Sequence, residues 1–323
     1  MPGFEVIDKK EKAAVNQIFD EGGVLFAHGF QKKRKKYHVR EFELDAKKKL
    51  GSKYAVAVTS GTSATLIALK ALGIKRGDEV ITQAFNFIAT VEAIIESGAK
   101  PIMVNIDESY NMCPIELKKS ITKKTKAIIP VHMLGVSAKM NEILKIAKTK
   151  KIPVLEDNCE AMGAKYNDRY LACVGDVGVV SFDYGKTITT GEGGMIFTNS
   201  KKIYKYCKEY HDHGHELNPK FSRGMDTKTI TGFNYRMTEL QAAIGKVQLK
   251  KLDYIISENK KRYIALFNEI KKTKLIFRLI PKNTIQIFDT LIVRCEDKKI
   301  RKKIVKLLNA TGFGTKNLPD AIK

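Results

Sequence analysis

From about residue 54 onward, short apolar runs alternate with stretches whose apolar positions recur every three to four residues. Tyr54 to Thr59 reads as a strand. The segment after it carries Leu66, Leu69 and Leu72 at helical spacing and stops at Gly73, a residue suited to the left-handed turn beyond a helix end. Glu79 to Thr82, Pro101 to Asn105, Ala127 to Val131 and Pro153 to Glu156 repeat the strand pattern. The helices between them carry Val91, Ile94 and Ile95, then Met140, Ile143, Leu144 and Ala147. Val177 to Phe182 and Met195 to Thr198 flank a glycine-rich turn. Such alternation predicts a layered α/β domain around a mostly parallel sheet. Beyond Met237, the positions Leu240, Ile244, Val247, Leu252, Ile255 and Ile256 predict one long helix that bridges to a small C-terminal α+β domain. There Ile285 to Val293 reads as a strand and Asp297 to Leu308 as a helix, with a last strand near Gly314. The expected division is residues 1–245 for an N-terminal segment and large domain, and 246–323 for a small domain that ends abruptly, as if truncated.

Composition narrows the class. A chain of 323 residues has room for one large core and a smaller one. A hydrophobic share of 43% with 29% charged residues suits a soluble globular protein, and no apolar run reaches bilayer length. The start Met1-Pro2-Gly3-Phe4-Glu5 lacks the features of a secretory signal, so a cytoplasmic location is expected. Five cysteines without a CxxC pair suggest neither a disulfide framework nor a zinc ribbon. A net charge of +23 raises the question of an acidic partner. The lysines are spread along the chain, however, and the runs at 31–36 and 298–303 read as solvated faces, so neither nucleic acid nor membrane is expected as a partner.

Three segments carry chemistry. Ser60-Gly61-Thr62-Ser63-Ala64 lies where a strand gives way to a helix. There a glycine lets an anion approach the backbone, and the helix end offers free N–H groups, with Thr62 and Ser63 adding hydroxyls. Ordinary N-capping is the competing reading. Leu155 to Glu160 lies at the carboxyl end of a strand, where open α/β sheets bind ligands, and Asp157 is the acid placed to face one. A turn or cap role competes there too. Ser181 to Gly194 places Lys186 on a tight glycine-rich turn, where an inward amine reacts with an aldehyde, whereas most lysines are surface charges.

Taken together and in this order, the segments TSGTSATLIALKALGIKRGDEVI, VLEDNCEAMGAKY, SFDYGKTITTGEGGMIFTN and GFNYRMTELQAAIGKVQLKKLD resemble the DegT-type sugar aminotransferases, a branch of the fold type I pyridoxal-phosphate (PLP) enzymes. The resemblance covers nearly the whole chain. It implies a three-layer α/β fold with a mixed, mostly parallel sheet, and PLP as cofactor. Lys186 would be the Schiff-base lysine, Asp157 the partner of the ring nitrogen, Gly61, Thr62, Ser63 and Ser181 the phosphate site, and Phe87 the aromatic stacked on the ring. The competing reading of Phe87 is a core aromatic that begins a helix.

Two departures matter. Glu160 stands where the family commonly has Gln near the phenolic oxygen of the cofactor, and EDNCE is similar to the family's sugar 3-dehydratases. Those dehydratases place His at the position of Lys186, so the lysine favours transamination. Asn234 matches a segment through which one subunit reaches into its neighbour's site, which implies a homodimer; a helix cap before Met237 is the local alternative. The alternating His211, His213 and His215 lack a matching set of metal ligands, and the resemblance places His213-Gly214 at a helix end, for substrate contact or a solvated loop. The implied reaction moves an amino group from L-glutamate to a keto or aldehydo sugar, in surface polysaccharide or lipopolysaccharide sugar biosynthesis. MPGFE, HDHGH and GTKNLPDAI look like the branch acting on 8-oxo-3-deoxy-octulosonate, beside nucleotide-linked keto-hexoses. A PLP-dependent sugar dehydratase and a non-catalytic regulator keeping the fold are the rival readings.

Overall fold

A computed structural model of the chain describes residues 1–312 apart from 219, 222 and 223. The strand near Gly314 and the GTKNLPDAI segment lie outside the described residues.

The strands expected from Tyr54 to Glu156 form: β1 (Tyr54–Val58), β2 (Glu79–Gln83), β3 (Lys100–Val104), β4 (Thr125–Ile129) and β5 (Leu155–Asp157). A short hairpin of β6 (Lys165–Tyr166) and β7 (Arg169–Tyr170) follows, then β8 (Val177–Ser181) and β9 (Gly194–Thr198). One set pairs in the order β1-β9-β8-β5 and another as β3-β2-β4, and parallel bridges Ile128 to Val154 and Val131 to Asp157 join them. The combined order is β3-β2-β4-β5-β8-β9-β1. Only β9 runs against its neighbours, because it returns directly from β8 through the glycine-rich turn whereas the other strands are joined by crossovers.

Alternation within each strand builds three layers. Val56, Val58, Val177, Val179 and Ile196 face α3 (Gly61–Ala71) and α7 (Lys201–Tyr210), while Ala55, Ala57, Val180, Met195 and Phe197 face α2 (His38–Leu50) and α8 (Glu239–Ile270). Both strand faces are apolar, as a sheet covered on both sides requires. Helix α4 (Ile88–Glu96) lies with α3, whereas α5 (Pro114–Ser120) and α6 (Met140–Lys150) cover Ile81 and Ile128 from the other side. Helix α1 (Lys9–Asp20) packs along α8, capped by Asp8 and Glu11. Among the described residues no helix is long and apolar enough to cross a membrane.

The strand expected over Ile285 to Val293 does not form as one. Its start, Thr284–Ile285, pairs with β6, and its end, Val293–Arg294, pairs with Ile276–Phe277. Between them Phe288 takes a left-handed φ of 60°, and fully buried Ile287 turns toward the loop after β4, donating its N–H to the Gly135 carbonyl at 3.2 Å. Burying Ile287 against the large domain wins over extending the ladder. The expected C-terminal helix forms as α9 (Lys298–Ala310), capped by Asp297.

Candidate active site

The segments singled out in the sequence meet at the carboxyl ends of β1, β5 and β8. Their convergence is visible at Gly61. A Cβ there would lie 2.8 Å from Ser181 Cβ and 2.9 Å from Cys159 Sγ, so three distant stretches of chain close around a position only glycine fills. A Cβ on Gly194 would likewise strike the Ser60 carbonyl, which ties the end of the lysine turn to the start of α3.

The hydroxyls of the first segment divide their work. Ser60 and Ser63 form a reciprocal capping box, each side chain bonding the other's backbone N–H at 3.0 Å, and Ser63 Oγ also donates to the Ser60 carbonyl at 2.8 Å. Ser63 is therefore buried and engaged in the cap. Thr62 is exposed at the same helix end, where free N–H groups and the helix dipole favour an anion. Ser181 accepts from the Asp183 N–H at 3.2 Å and is buried beside Gly61.

Asp157 is 5% exposed. Its Oδ2 accepts from the Thr90 hydroxyl at 2.7 Å and its Oδ1 from the Cys159 N–H at 3.1 Å, so the carboxylate cannot rotate freely. Beneath it, Glu156 is fully buried and accepts from Val174 and Gly175 N–H groups at 2.6 Å and from Ala172 at 3.2 Å. His132 receives the Ala138 N–H on Nδ1, which leaves its Nε2–H to donate to Glu156 at 3.0 Å. This brace locks the loops after β4 and before β8 on either side of Asp157.

Lys186 closes a turn in which its N–H donates to the Asp183 carbonyl at 3.0 Å and the Gly185 N–H to Asp183 Oδ1 at 3.1 Å. From outside, the Gly3 N–H donates to the Lys186 carbonyl at 2.9 Å, and Phe4 stacks on Tyr184 with ring centroids 4.7 Å apart. Lys186 Nζ lies 3.7 Å from Glu160 Oε1, and Glu160 Oε2 accepts from the Leu134 N–H at 3.3 Å. Phe87 precedes α4 and is 65% exposed, so it is a rim aromatic and not a core residue.

Asn234 stands apart. It is exposed and bridges to Asp212, in a segment that runs beside the end of β1 where the Thr59 N–H donates to the Tyr235 carbonyl; its side chain bonds none of the other site residues described. The three histidines diverge. Buried His211 donates Nδ1–H to the Lys208 carbonyl at 2.7 Å and is pushed down to about 4 by burial; buried His215 pairs with Asp226 at 2.9 Å; exposed His213 sits at a φ of 54° just past α7. His211 is therefore neutral at physiological pH and no proton carrier there. The sequence reading did not single out Thr90, the Glu156–His132 brace, or the support from Gly3 and Phe4. Thr90 had a local signal, three residues beyond Phe87, but its partner lies 67 residues away.

These donors suit PLP. An exposed helix N-terminus with Thr62 matches a phosphate, a fixed buried carboxylate matches a protonated ring nitrogen, and a lysine on a braced turn matches an aldehyde. Thr90→Val keeps the shape and removes the hydroxyl. If the chain carries out the transamination its motifs imply, this should slow the half-reaction with the amino donor about ten- to a hundredfold, close to the ~1.5–3 kcal/mol of a hydrogen bond to a charged group, while Thr90→Ser restores it. Single-turnover kinetics decide, and an unchanged rate would make Thr90 a packing residue.

The model of the DegT/DnrJ/EryC1/StrS aminotransferase family matches residues 7–319. GDP-perosamine synthase of Escherichia coli O157:H7 is 39% identical over 257 residues, covering 79% of this chain and 66% of that protein. GDP-4-keto-6-deoxy-D-mannose 3-dehydratase of Escherichia coli O55:H7 is 33% identical over 296 residues, covering 85% and 76%. The solved structure of the E. coli GDP-4-keto-6-deoxy-D-mannose-3-dehydratase with bound hydrated PLP superposes with a TM-score of 0.84 at 30% identity, over 95% of this chain and 82% of that one. This chain spans between 56% and 66% of the length of the first three curated relatives it matches.

Proposed function

This chain belongs to the DegT/DnrJ/EryC1/StrS aminotransferase family, whose cofactor is PLP, and from that premise we propose that it is a sugar aminotransferase taking its amino group from L-glutamate. The observation that carries the reading is Lys186 on its braced turn, brought to the same sheet edge as the doubly bonded Asp157. When bound, PLP supplies an electron-accepting ring and an aldehyde carbon that carries the amino group. Lys186 Nζ would hold the cofactor at that carbon, and its amine would move a proton between the amino-acid α-carbon and the neighbouring position. Asp157 would hold a proton on the ring nitrogen, and Thr90 and the Cys159 N–H keep its carboxylate oriented. Gly61, Thr62, Ser63 and Ser181 would frame the phosphate, Ser63 through its cap. Phe87, exposed at the rim, would cover the ring, and Glu160, which faces Lys186, would lie by the phenolic oxygen.

Similarity to GDP-perosamine synthases supports a nucleotide-diphosphate-linked keto-hexose as acceptor. An 8-oxo-3-deoxy-octulosonate is the second reading, favoured by the start MPGFE, whose Gly3 and Phe4 support the lysine turn. Two copies share their sites through Asn234 and the GFNYRM segment, 232–237, in this proposal, supported by exposed Phe233 and Asn234. The division into a large domain to residue 245 and a small one after it belongs to the same reading.

The test incubates PLP-loaded protein and L-glutamate with GDP-4-keto-6-deoxy-D-mannose, other nucleotide-linked keto-hexoses and the octulosonate, and reads 2-oxoglutarate and the sugar product by mass. Amination of one sugar supports the proposal and names the acceptor. A sugar that loses its 3-hydroxyl with release of ammonia would instead show the dehydratase, and no reaction with any sugar or with glutamate would favour the regulator.

A further inference from the structure

One buried charge has no part in the chemistry so far. Arg278, just beyond Ile276–Phe277, is 8% exposed, and its guanidinium is spent on main-chain carbonyls: Nε to Ser109 at 2.7 Å, Nη1 to Leu134 at 3.1 Å and Nη2 to Met133 at 2.6 Å. Burying a cation among neutral acceptors is costly, and here the fork-shaped group spans two loops at the carboxyl ends of β3 and β4. Asn111 ties the same loops, accepting the Met133 N–H at 2.9 Å and donating to the Val136 and Ser137 carbonyls at 3.2 and 3.0 Å.

What they hold is a strained turn. Leu134 has a φ of 49°, which a leucine rarely adopts, and Gly135 follows at 79°, with Ile287 and Asp289 where its Cβ would stand. The reward for that conformation is the direction of one group, since the Leu134 N–H points at Glu160 Oε2 while Glu160 Oε1 faces Lys186 Nζ. Arg278 thus fixes the carbonyl of the residue whose N–H orients the only carboxylate paired with Lys186 among the described residues.

We infer that Arg278 is a positioning residue for Lys186, acting through the Leu134 backbone and the Glu160 carboxylate. The inference rests on the reading of Lys186 as the lysine that binds PLP. With the Leu134 amide in place, Glu160 is turned and partly satisfied. Without it the carboxylate is free to close on the ammonium, and an ammonium does not attack an aldehyde. Around this pair, Asp289 on the 286–292 segment and Arg278 itself act on Glu160, and the buried Cys159 thiol feels Asp157 at the end of β5 together with Lys186 and Glu160.

The experiment follows PLP uptake by the full chain over a pH series, by absorbance and by borohydride trapping with peptide mapping. Arg278→Ala slows uptake by Lys186 about three- to tenfold near neutral pH, within what one hydrogen bond to a charged group supplies. The slowing is read at each pH of the series against the unsubstituted chain. Arg278→Lys recovers little, because a point ammonium cannot serve three carbonyls, and it carries the same comparison if the alanine variant does not fold. In a Glu160→Gln background the Arg278 substitution has no further effect, since the route is already cut. Unchanged uptake, full rescue by lysine, or an equal slowing in both backgrounds would each overturn the relay. Trapping on a lysine other than Lys186 in the unsubstituted chain would overturn the reading of the site instead, and the two failures are separable.

Discussion

Replacing Lys186 with alanine should abolish turnover, with losses of roughly 10⁴-fold or more, while the fold survives. On the proposed reading two separate functions of Lys186 disappear together. The amine that holds PLP is gone, so borohydride should no longer fix the cofactor to the chain, and the base that moves the proton between carbons is gone too, a contribution worth about 10²–10⁴-fold by itself. The fold should persist because the turn is held by its backbone. The residue 186 N–H donates to the Asp183 carbonyl and its carbonyl accepts from Gly3, and alanine keeps both. Lys186 Nζ is partly exposed and its ion pair with Glu160 is 3.7 Å long, so removing the side chain leaves no buried charge stranded. The measurements are glutamate-dependent turnover, peptide mapping after borohydride, and thermal melting. Labelling of another lysine in the unsubstituted protein, or turnover within tenfold in the variant, would contradict the assignment.

Asp157→Asn is the second large effect, and it separates binding from chemistry. Asparagine is nearly isosteric and still accepts from Thr90 or from the Cys159 N–H, so the pocket should keep its shape and PLP should still bind. The negative charge that keeps the ring nitrogen protonated is lost, and with it the electron sink. Formation of the pyridoxamine form from L-glutamate should fall by roughly 10³-fold, comparable to removing a preorganised group at a reacting centre. The drop should appear in the rate of the chemical step with little change in PLP affinity. An unchanged rate would show that Asp157 serves only as a turn residue. Thr90→Val, which leaves the charge but frees the carboxylate to rotate, should lie between this variant and the unsubstituted protein.

Together these expectations describe a site assembled in tiers. In the proposed site, Lys186, Asp157 and the α3 N-terminus would provide the chemistry. Thr90, the Glu156–His132 pair and the Gly3–Phe4 segment hold the first two in place. Arg278 reaches in from beyond α8 and sets the loop that directs Glu160. Because the outer tier acts through backbone atoms of the inner one, substitutions there should tune rates without removing the reaction.

Much of this was legible along the chain because it depends on local periodicity and on residues adjacent in sequence. The short apolar runs Tyr54 to Thr59 and Val177 to Phe182 predict strands, helical spacing places α3 and α8, and the glycines around Lys186 predict a tight turn. Parallel strands joined by crossovers bring their carboxyl ends to one edge, so the chain order alone places Thr62, Asp157, Ser181 and Lys186 near one another. Even the capping box of Ser60 and Ser63 is a four-residue motif, although its spacing left open whether those hydroxyls serve the helix or a ligand.

The tertiary structure decided everything that hangs on pairs far apart in sequence. Thr90 meets Asp157 across 67 residues and Arg278 meets Leu134 across 144, contacts that no local pattern encodes because they arise only when separate loops are packed at the same sheet edge. It also overruled a local preference. The β-rich run from Ile285 to Val293 breaks at its centre because burying Ile287 against the Gly135 loop is worth more than continuing a short exposed ladder. Sequence periodicity therefore set the layers, the strand directions and the edge where chemistry gathers, since these follow from local conformation and chain connectivity. Side-chain exposure, as at Phe87, and the hydrogen bonds that orient each carboxylate follow from packing between distant segments, and only the folded chain brings those into contact.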